Sequence, residues 1–155
     1  MRRPWIPRRG RSEEQPIELR LPSCLGYEKV AMDTVAVVAA RIGFSPEQID
    51  GLRTAVSEAV TNAIEHGNSG KPNAVVHVVM TVSDRTLTIS VRDQNYHQFD
   101  RNYGVQRPDI ERALKGEDVG WGMWLIRQFV DDAVWTVAPN GGNEVRMVLR
   151  RASGA

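Results

Sequence analysis

Ala55-Val56-Ser57-Glu58-Ala59-Val60-Thr61-Asn62-Ala63-Ile64-Glu65-His66-Gly67 places a polar side chain at every fourth position: Glu58, Asn62 and His66. On a helix of about 3.6 residues per turn that spacing stacks a carboxylate, a carboxamide and an imidazole along one face. A carboxylate and an amide one turn apart can share a divalent cation or a water. Ala55, Ala59 and Ala63 form a ridge of small side chains beside them, and Val56, Val60 and Ile64 supply apolar bulk. The spacing therefore predicts a closely packed helix beneath a polar strip, with Gly67 as its C-cap. Taken alone, the same pattern fits any amphipathic helix with a wet face. What surrounds it decides between the two.

Upstream, Ser45-Pro46-Glu47-Gln48 reads as a helix start, with Ser at the N-cap, Pro at the first helical position and Gln reaching back as a capping box. The helix is expected from about Pro46 to His66. An earlier helix, Tyr27 to Ile42, has Val30, Ala31, Thr34, Val35, Val38 and Ala39 at helical spacing and stops at Gly43. Before it, Pro16 to Leu21 alternates apolar and polar residues as a strand with one buried face does. Downstream, Ala74 to Val82 and Thr86 to Arg92 are β-branched runs joined at Ser83-Asp84-Arg85, which predicts an antiparallel hairpin. No periodicity is sustained from Asp93 to Val119, a length that suits a functional lid, with Pro108 to Lys115 as a possible short helix. Gly120-Trp121-Gly122-Met123 opens a further helix, with Leu125, Ile126, Phe129 and Val130 at core spacing and Asp131 and Asp132 ending it. Two strands, Ala133 to Ala138 and Glu144 to Leu149, flank the turn Pro139-Asn140-Gly141-Gly142. This order predicts an α+β fold: a two-layer sandwich whose mostly antiparallel sheet is covered by helices on one face.

The chain has 155 residues, 41% of them hydrophobic, which suits one domain with a proper core. No run approaches the roughly 20 apolar residues of a membrane helix. The formal charge of +1 conceals an asymmetry. Arg2, Arg3, Arg8, Arg9 and Arg11 precede the first acid, and without those five the 20 basic residues fall to 15 against 19 acidic ones. Residues 1–15 also hold Pro4, Pro7 and Gly10 and lack the apolar core of a secretory signal. A disordered basic tail is expected there and a second tail at residues 151–155, around a domain spanning 16–150. Such a tail can meet an acidic partner, although a solubilising extension explains it as well; no direct nucleic-acid contact is expected. Cys24 is the single cysteine, and His66, His77 and His97 lack metal-ligand spacing. A reducing cytoplasm, away from membranes, fits these features.

Three pieces thus fall in a set order: the Glu58/Asn62/His66 helix, an aspartate ending a strand at Val91-Arg92-Asp93, and a Gly-x-Gly helix start at Gly120-Trp121-Gly122. The order resembles the Bergerat-fold ATP-binding superfamily of gyrase, heat-shock chaperones, mismatch-repair proteins and histidine kinases. Within it the chain is most similar to the bacterial anti-sigma-factor serine/threonine kinases. Three strings sharpen the likeness: Glu-Ala-Val-Thr-Asn-Ala-Ile-Glu-His, Gly-Met-Trp-Leu-Ile-Arg-Gln-Phe-Val-Asp, and Gly-Gly-Asn-Glu-Val-Arg-Met. It covers about Ile17 to Arg150.

The resemblance implies ATP and Mg2+ as cofactors. In the family the residue matching Asn62 holds Mg2+ between the phosphates, a hard-cation role suited to an amide oxygen. The residue matching Glu58 is the general base on the attacking hydroxyl, and the one matching Asp93 reads the adenine amino group. Gly120 and Gly122 let the backbone approach the phosphates at a helix N-terminus. His66, Asn95, His97, Met123 and Asn143 complete the nucleotide contacts by position, and Arg101, Arg107 and Lys115 are the lid cations. The implied partners are an anti-sigma-factor antagonist as protein substrate, a sigma factor, and a second copy of the chain paired through the open side of the sheet. Sigma or antagonist contacts are expected near the lid and the helix at Ser45 to Gly51. The implied role is transcription regulation of the stress-response kind. A chaperone, gyrase or histidine-kinase fragment fits less well, because the domain fills the chain.

Three positions depart from the family. Asp-x-Gly-x-Gly is replaced by Asp93-Gln94-Asn95-Tyr96-His97, so both glycines are gone, and Asn143 stands where a threonine is usual. Asn and His tolerate positive φ better than most residues, so the loop is expected to keep its path through left-handed conformations at Asn95 and His97. Two functions stay open at this level. One is a kinase. The other is a module without catalysis that sequesters a partner and carries a degenerate nucleotide site.

Overall fold

A computed structural model describes residues 15–69, 71–95, 110–115 and 121–152. Residues 1–14 and 153–155 of the expected tails, His97, Gly120, Arg101, Arg107 and most of the lid lie outside these residues.

Five strands, β1 (Ile17–Pro22), β2 (Val75–Ser83), β3 (Thr86–Arg92), β4 (Asp132–Val137) and β5 (Asn143–Arg150), form one sheet in the order β1-β2-β3-β5-β4. Every neighbouring pair is antiparallel. Strand side chains alternate between faces, so the register sorts apolar residues into rows. Leu19, Val78, Val91, Val145 and Trp135 form one row, and Ile17, Met80, Ile89, Met147 and Ala133 the next. Val82, Leu87 and Leu149 form a third. The central members of each row are buried. The β2–β3 hairpin turns at Asp84 and Arg85, with Asp84 at φ 54°.

Helices α1 (Glu28–Arg41), α2 (Pro46–Asn62) and α4 (Trp121–Phe129) cover the apolar face, with α2 between the other two; α3 (Ile110–Leu114) is short and exposed. At the start of α2 the capping box forms as expected: the Ser45 hydroxyl accepts the Gln48 N–H at 3.1 Å, and Gln48 Oε1 accepts the Ser45 N–H at 3.3 Å. Leu52, Ala55, Val56, Ala59 and Val60 of α2 are buried against the sheet and the neighbouring helices. Gly43, at φ +89°, ends α1. Within α1, Ala31, Val35 and Ala39 enter the core, whereas Val30 is 44% exposed, because only one stripe of the helix meets α2 and the sheet. Phe129 is likewise 39% exposed, although its ring packs against Gly51. No described helix is long and apolar enough to cross a membrane.

The expected continuous helix to His66 is corrected. The α-helix stops at Asn62, and Ala63–Gly67 is a π-turn closed by the Asn68 N–H donating to the Ala63 C=O at 2.8 Å, five residues back. The expected C-cap at Gly67 is corrected too. Gly67 belongs to the π-turn, Asn68 is the cap, and among the described residues the glycines with positive φ are Gly26, Gly43 and Gly141.

Candidate functional site

Glu58 and Asn62 keep their one-turn spacing because the helix is still α-helical between them. Both are half-buried. Gly122, in the first turn of α4, lies directly over them. A Cβ there would be 2.9 Å from both Glu58 Oε2 and Asn62 Nδ2 and 3.2 Å from Asn62 Oδ1. The glycine is therefore what lets the backbone of α4 approach the Glu58 carboxylate and the Asn62 carboxamide this closely. Among the described residues neither side chain has a hydrogen-bond partner. A carboxylate oxygen and a carboxamide oxygen one turn apart, unclaimed by the protein, are the donor types a hard divalent cation takes. Burial, and then the charge of Glu65, raise the Glu58 pKa above its ordinary 4.5. A carboxylate that holds its proton more tightly is a stronger base when ionised.

His66 follows a different path. The wider π-turn takes it off the line of Glu58 and Asn62, and it is exposed. Such turns recur at functional sites, where the extra residue re-aims the following chain. Here that chain reaches Gly67, whose Cα lies against the Asp93 carboxylate so closely that any Cβ would overlap it. The glycine is needed for this approach and not for its φ.

Strand alternation explains how Asp93 comes to this side. Val91 faces the core, Arg92 faces the open side of the sheet, and Asp93 turns back under the helices, with Asn143 adjacent on β5. Arg92 anchors the strand end on the open side, its Nε 2.6 Å from Glu144 Oε1 on the residue directly opposite. Asp93 is 7% exposed. Its Oδ1 accepts the backbone N–H groups of Asn95 and Asn143, each at 2.9 Å, and the Asn143 carboxamide Nδ2 lies 3.4 Å from Oδ1 and 3.3 Å from Oδ2. Oδ2, with only that long contact, retains capacity for an amino donor. Gly142 makes room for this arrangement, since a Cβ there would run into the Asp93 carbonyl.

Asn95 does not take the expected left-handed conformation; Asn73 and Asp84 are the described non-glycine residues with positive φ. Asn95 instead turns its N–H inward to Asp93, which a right-handed backbone allows without glycine. Met123, in the first turn of α4, is 3% exposed but lies outside the main cluster of core residues. Lys115, just past α3, is exposed. The structure thus brings Glu58, Asn62 and Gly122 together at one place, and Asp93, Asn95 and Asn143 at another. Sequence reading missed Gly67 and Gly142 as residues of close approach, and missed Asn68 and Gln94 altogether. A glycine beside a polar motif was the available signal for the first pair.

A family model described as "Histidine kinase-like ATPase domain" matches residues 21–149. The chain belongs to this family. Relatives of this histidine kinase-like ATPase domain include the anti-sigma F factor of Geobacillus stearothermophilus, 32% identical over 126 residues that cover 76% of this chain and 80% of that protein. The anti-sigma F factor of Clostridium acetobutylicum is 32% identical over 143 residues, covering 89% and 94%. The serine-protein kinase RsbW of Oceanobacillus iheyensis is 31% identical over 122 residues, covering 75% of each. Among solved structures, the RsbU and RsbW domains of a Mycobacterium tuberculosis protein share the fold, with a TM-score of 0.65 at 19% identity; the match covers 92% of this chain and 34% of that one.

Proposed function

We propose that the chain is an anti-sigma-factor-type serine/threonine kinase that uses Mg-ATP to phosphorylate an anti-sigma-factor antagonist and so sets the availability of a sigma factor. The observation carrying this reading is the pair Glu58 and Asn62, half-buried, without hydrogen-bond partners among the described residues, and closely approached by the first turn of α4 at Gly122. Asn62 Oδ1 would hold the Mg2+, which when bound would neutralise phosphate charge. Glu58, its proton affinity raised by burial, takes the proton of the incoming seryl or threonyl hydroxyl. Gly122 and the first N–H groups of α4 give close, positively polarised backbone to the phosphates. Asp93, held by Asn143 and Asn95, accepts the adenine amino group on Oδ2.

The persistence of this Asp93 cradle without either loop glycine supports catalysis over a purely sequestering module. His97, Gly120, Arg101 and Arg107 belong to the same reading by position, as does exposed Lys115. The protein pairs as a homodimer through the open face of the sheet, works in the cytoplasm, and meets the antagonist or sigma factor near the lid and residues 45–51. The deciding experiment incubates the purified protein and an anti-sigma-factor antagonist with labelled ATP and Mg2+. Label on a serine or threonine of the antagonist, lost on chelating Mg2+, is expected; nucleotide binding without any transfer would leave only sequestration. A monomer in sedimentation at high concentration would refute the dimer.

A further inference from the structure

Asn68 is 2% exposed, the most deeply buried polar side chain among the described residues. Burying an amide is costly unless it is hydrogen-bonded, and this one is bonded in a particular way. Its Oδ1 accepts the Gln94 N–H at 2.7 Å, and its Nδ2 donates to the Val75 C=O at 3.0 Å. The Val75 N–H in turn donates to Gln94 Oε1 at 2.8 Å. Three bonds thus close a ring through the residue after the π-turn, the first residue of β2, and the residue after Asp93. Lys71 Nζ adds a fourth bond, to the Gln94 C=O at 2.5 Å.

The ring stands where the sheet ladder gives out. The Asp93 N–H still donates to the Asn143 C=O at 3.0 Å, but the next N–H, that of Gln94, goes to a side chain. Asp93 is therefore gripped from one side by β5 and from the other by Asn68 and Gln94. Asn68 also closes the π-turn through its own N–H, so one residue ties the end of the Asn62 helix to the backbone beside Asp93.

We infer that Asn68 and Gln94 are positioning residues that hold Asp93 for base recognition, so that the preference for adenine over guanine nucleotides depends on their ring of hydrogen bonds. The inference rests on the Mg-ATP reading above and assigns these two residues a role in selectivity. Guanine carries a carbonyl where adenine carries its amino group, so a correctly placed carboxylate favours adenine and a displaced one discriminates less. The triphosphate and the cation engage the other cluster, which the ring does not touch.

The test compares the wild type with Asn68→Ala, Gln94→Ala and Gln94→Glu in two measurements. In calorimetric titrations with Mg-ATP and Mg-GTP, both Ala variants should bind ATP about tenfold more weakly, the usual consequence of losing one or two such bonds, with GTP affinity unchanged. Gln94→Glu keeps the acceptor for the Val75 N–H and should bind ATP as the wild type does. Equal weakening of both nucleotides, or unchanged ATP affinity in Gln94→Ala, would overturn the assignment. The second measurement, amide hydrogen exchange without nucleotide, separates this inference from the kinase reading. The Asn95 and Asn143 amides, both bonded to Asp93 Oδ1, should lose protection in Gln94→Ala and keep it in Gln94→Glu; unchanged protection in Gln94→Ala also overturns it. A wild type that binds no ATP would sink the kinase reading and the selectivity role with it, while exchange would still decide whether the ring holds Asp93. Should Asn68→Ala fail to fold, the Gln94 pair alone carries both tests.

Discussion

At the α2 end of the site Glu58 and Asn62 have no hydrogen-bond partner among the described residues, whereas at the β3 end Asp93 already receives two backbone N–H groups and the Asn143 carboxamide. The first cluster comes from one helix and a glycine; the second is assembled from the π-turn exit, β2, β3 and β5. On the Mg-ATP reading proposed above, the difference follows from what each would do. A cation and its phosphates bring their own charge and partly their own ligands, so the protein need only leave polar side chains unpartnered. A base is neutral and is recognised by direction, so its acceptor has to be held still by bonds that have nothing to do with the ligand.

Changes at the open end should therefore affect chemistry and binding with little effect on folding, and changes at the cradled end should cost stability as well. The largest effect is expected from Glu58→Gln, which is nearly isosteric but cannot take a proton. Phosphoryl transfer should fall by about 10²–10⁴-fold with ATP affinity retained; transfer at the wild-type rate in a single-turnover assay would remove Glu58 from that role. Next is Asn62→Ala, for which Mg2+-dependent ATP binding should weaken by about 100-fold while the unfolding midpoint stays put. A calorimetric affinity equal to that of the wild type would place the cation elsewhere.

At the cradled end, Gly67→Ala introduces a Cβ into the space of the Asp93 carboxylate. It should destabilise the fold by about 1–3 kcal/mol in urea titration. If stability is unchanged, the two segments are not pressed together in solution. A smaller effect separates folding from catalysis at Glu58. Its pKa is raised in the fold, by burial first and Glu65 second, so ionising it opposes folding; the stability it permits is present below the ordinary 4.5 and is lost as pH rises through the folded value. Glu58→Gln should accordingly melt higher than the wild type at pH 7, and the gap should close as pH falls toward 4.5. A gap that widened toward acid would show that the carboxylate is stabilised, not strained, by its surroundings. The smallest effect is expected from Asn95→Gly. Because Asn95 has no left-handed backbone to relieve, ATP affinity should not rise; a gain would mean its side chain obstructs the nucleotide.

The sequence by itself determined whatever depends on near neighbours along the chain. The capping box at Ser45 and Gln48, the alternation that buries Val76, Val78, Met80 and Val82, and the one-turn spacing of Glu58 and Asn62 are all periodic or local, and each was legible without coordinates. The family motifs extended that reading to Asp93 and Gly122. Tertiary structure alone decided that the helix loosens into a π-turn after Asn62, and that Gly67 is required by the approach of Asp93. It also decided that Asn68 and Gln94 close a ring with Val75. The physical reason is separation: the bonds between Asn68 and Gln94 and between Val75 and Gln94 span 26 and 19 residues. No periodicity marks such pairs in the chain. Their partners are fixed only when the sheet register and the helix packing bring the three segments to one point.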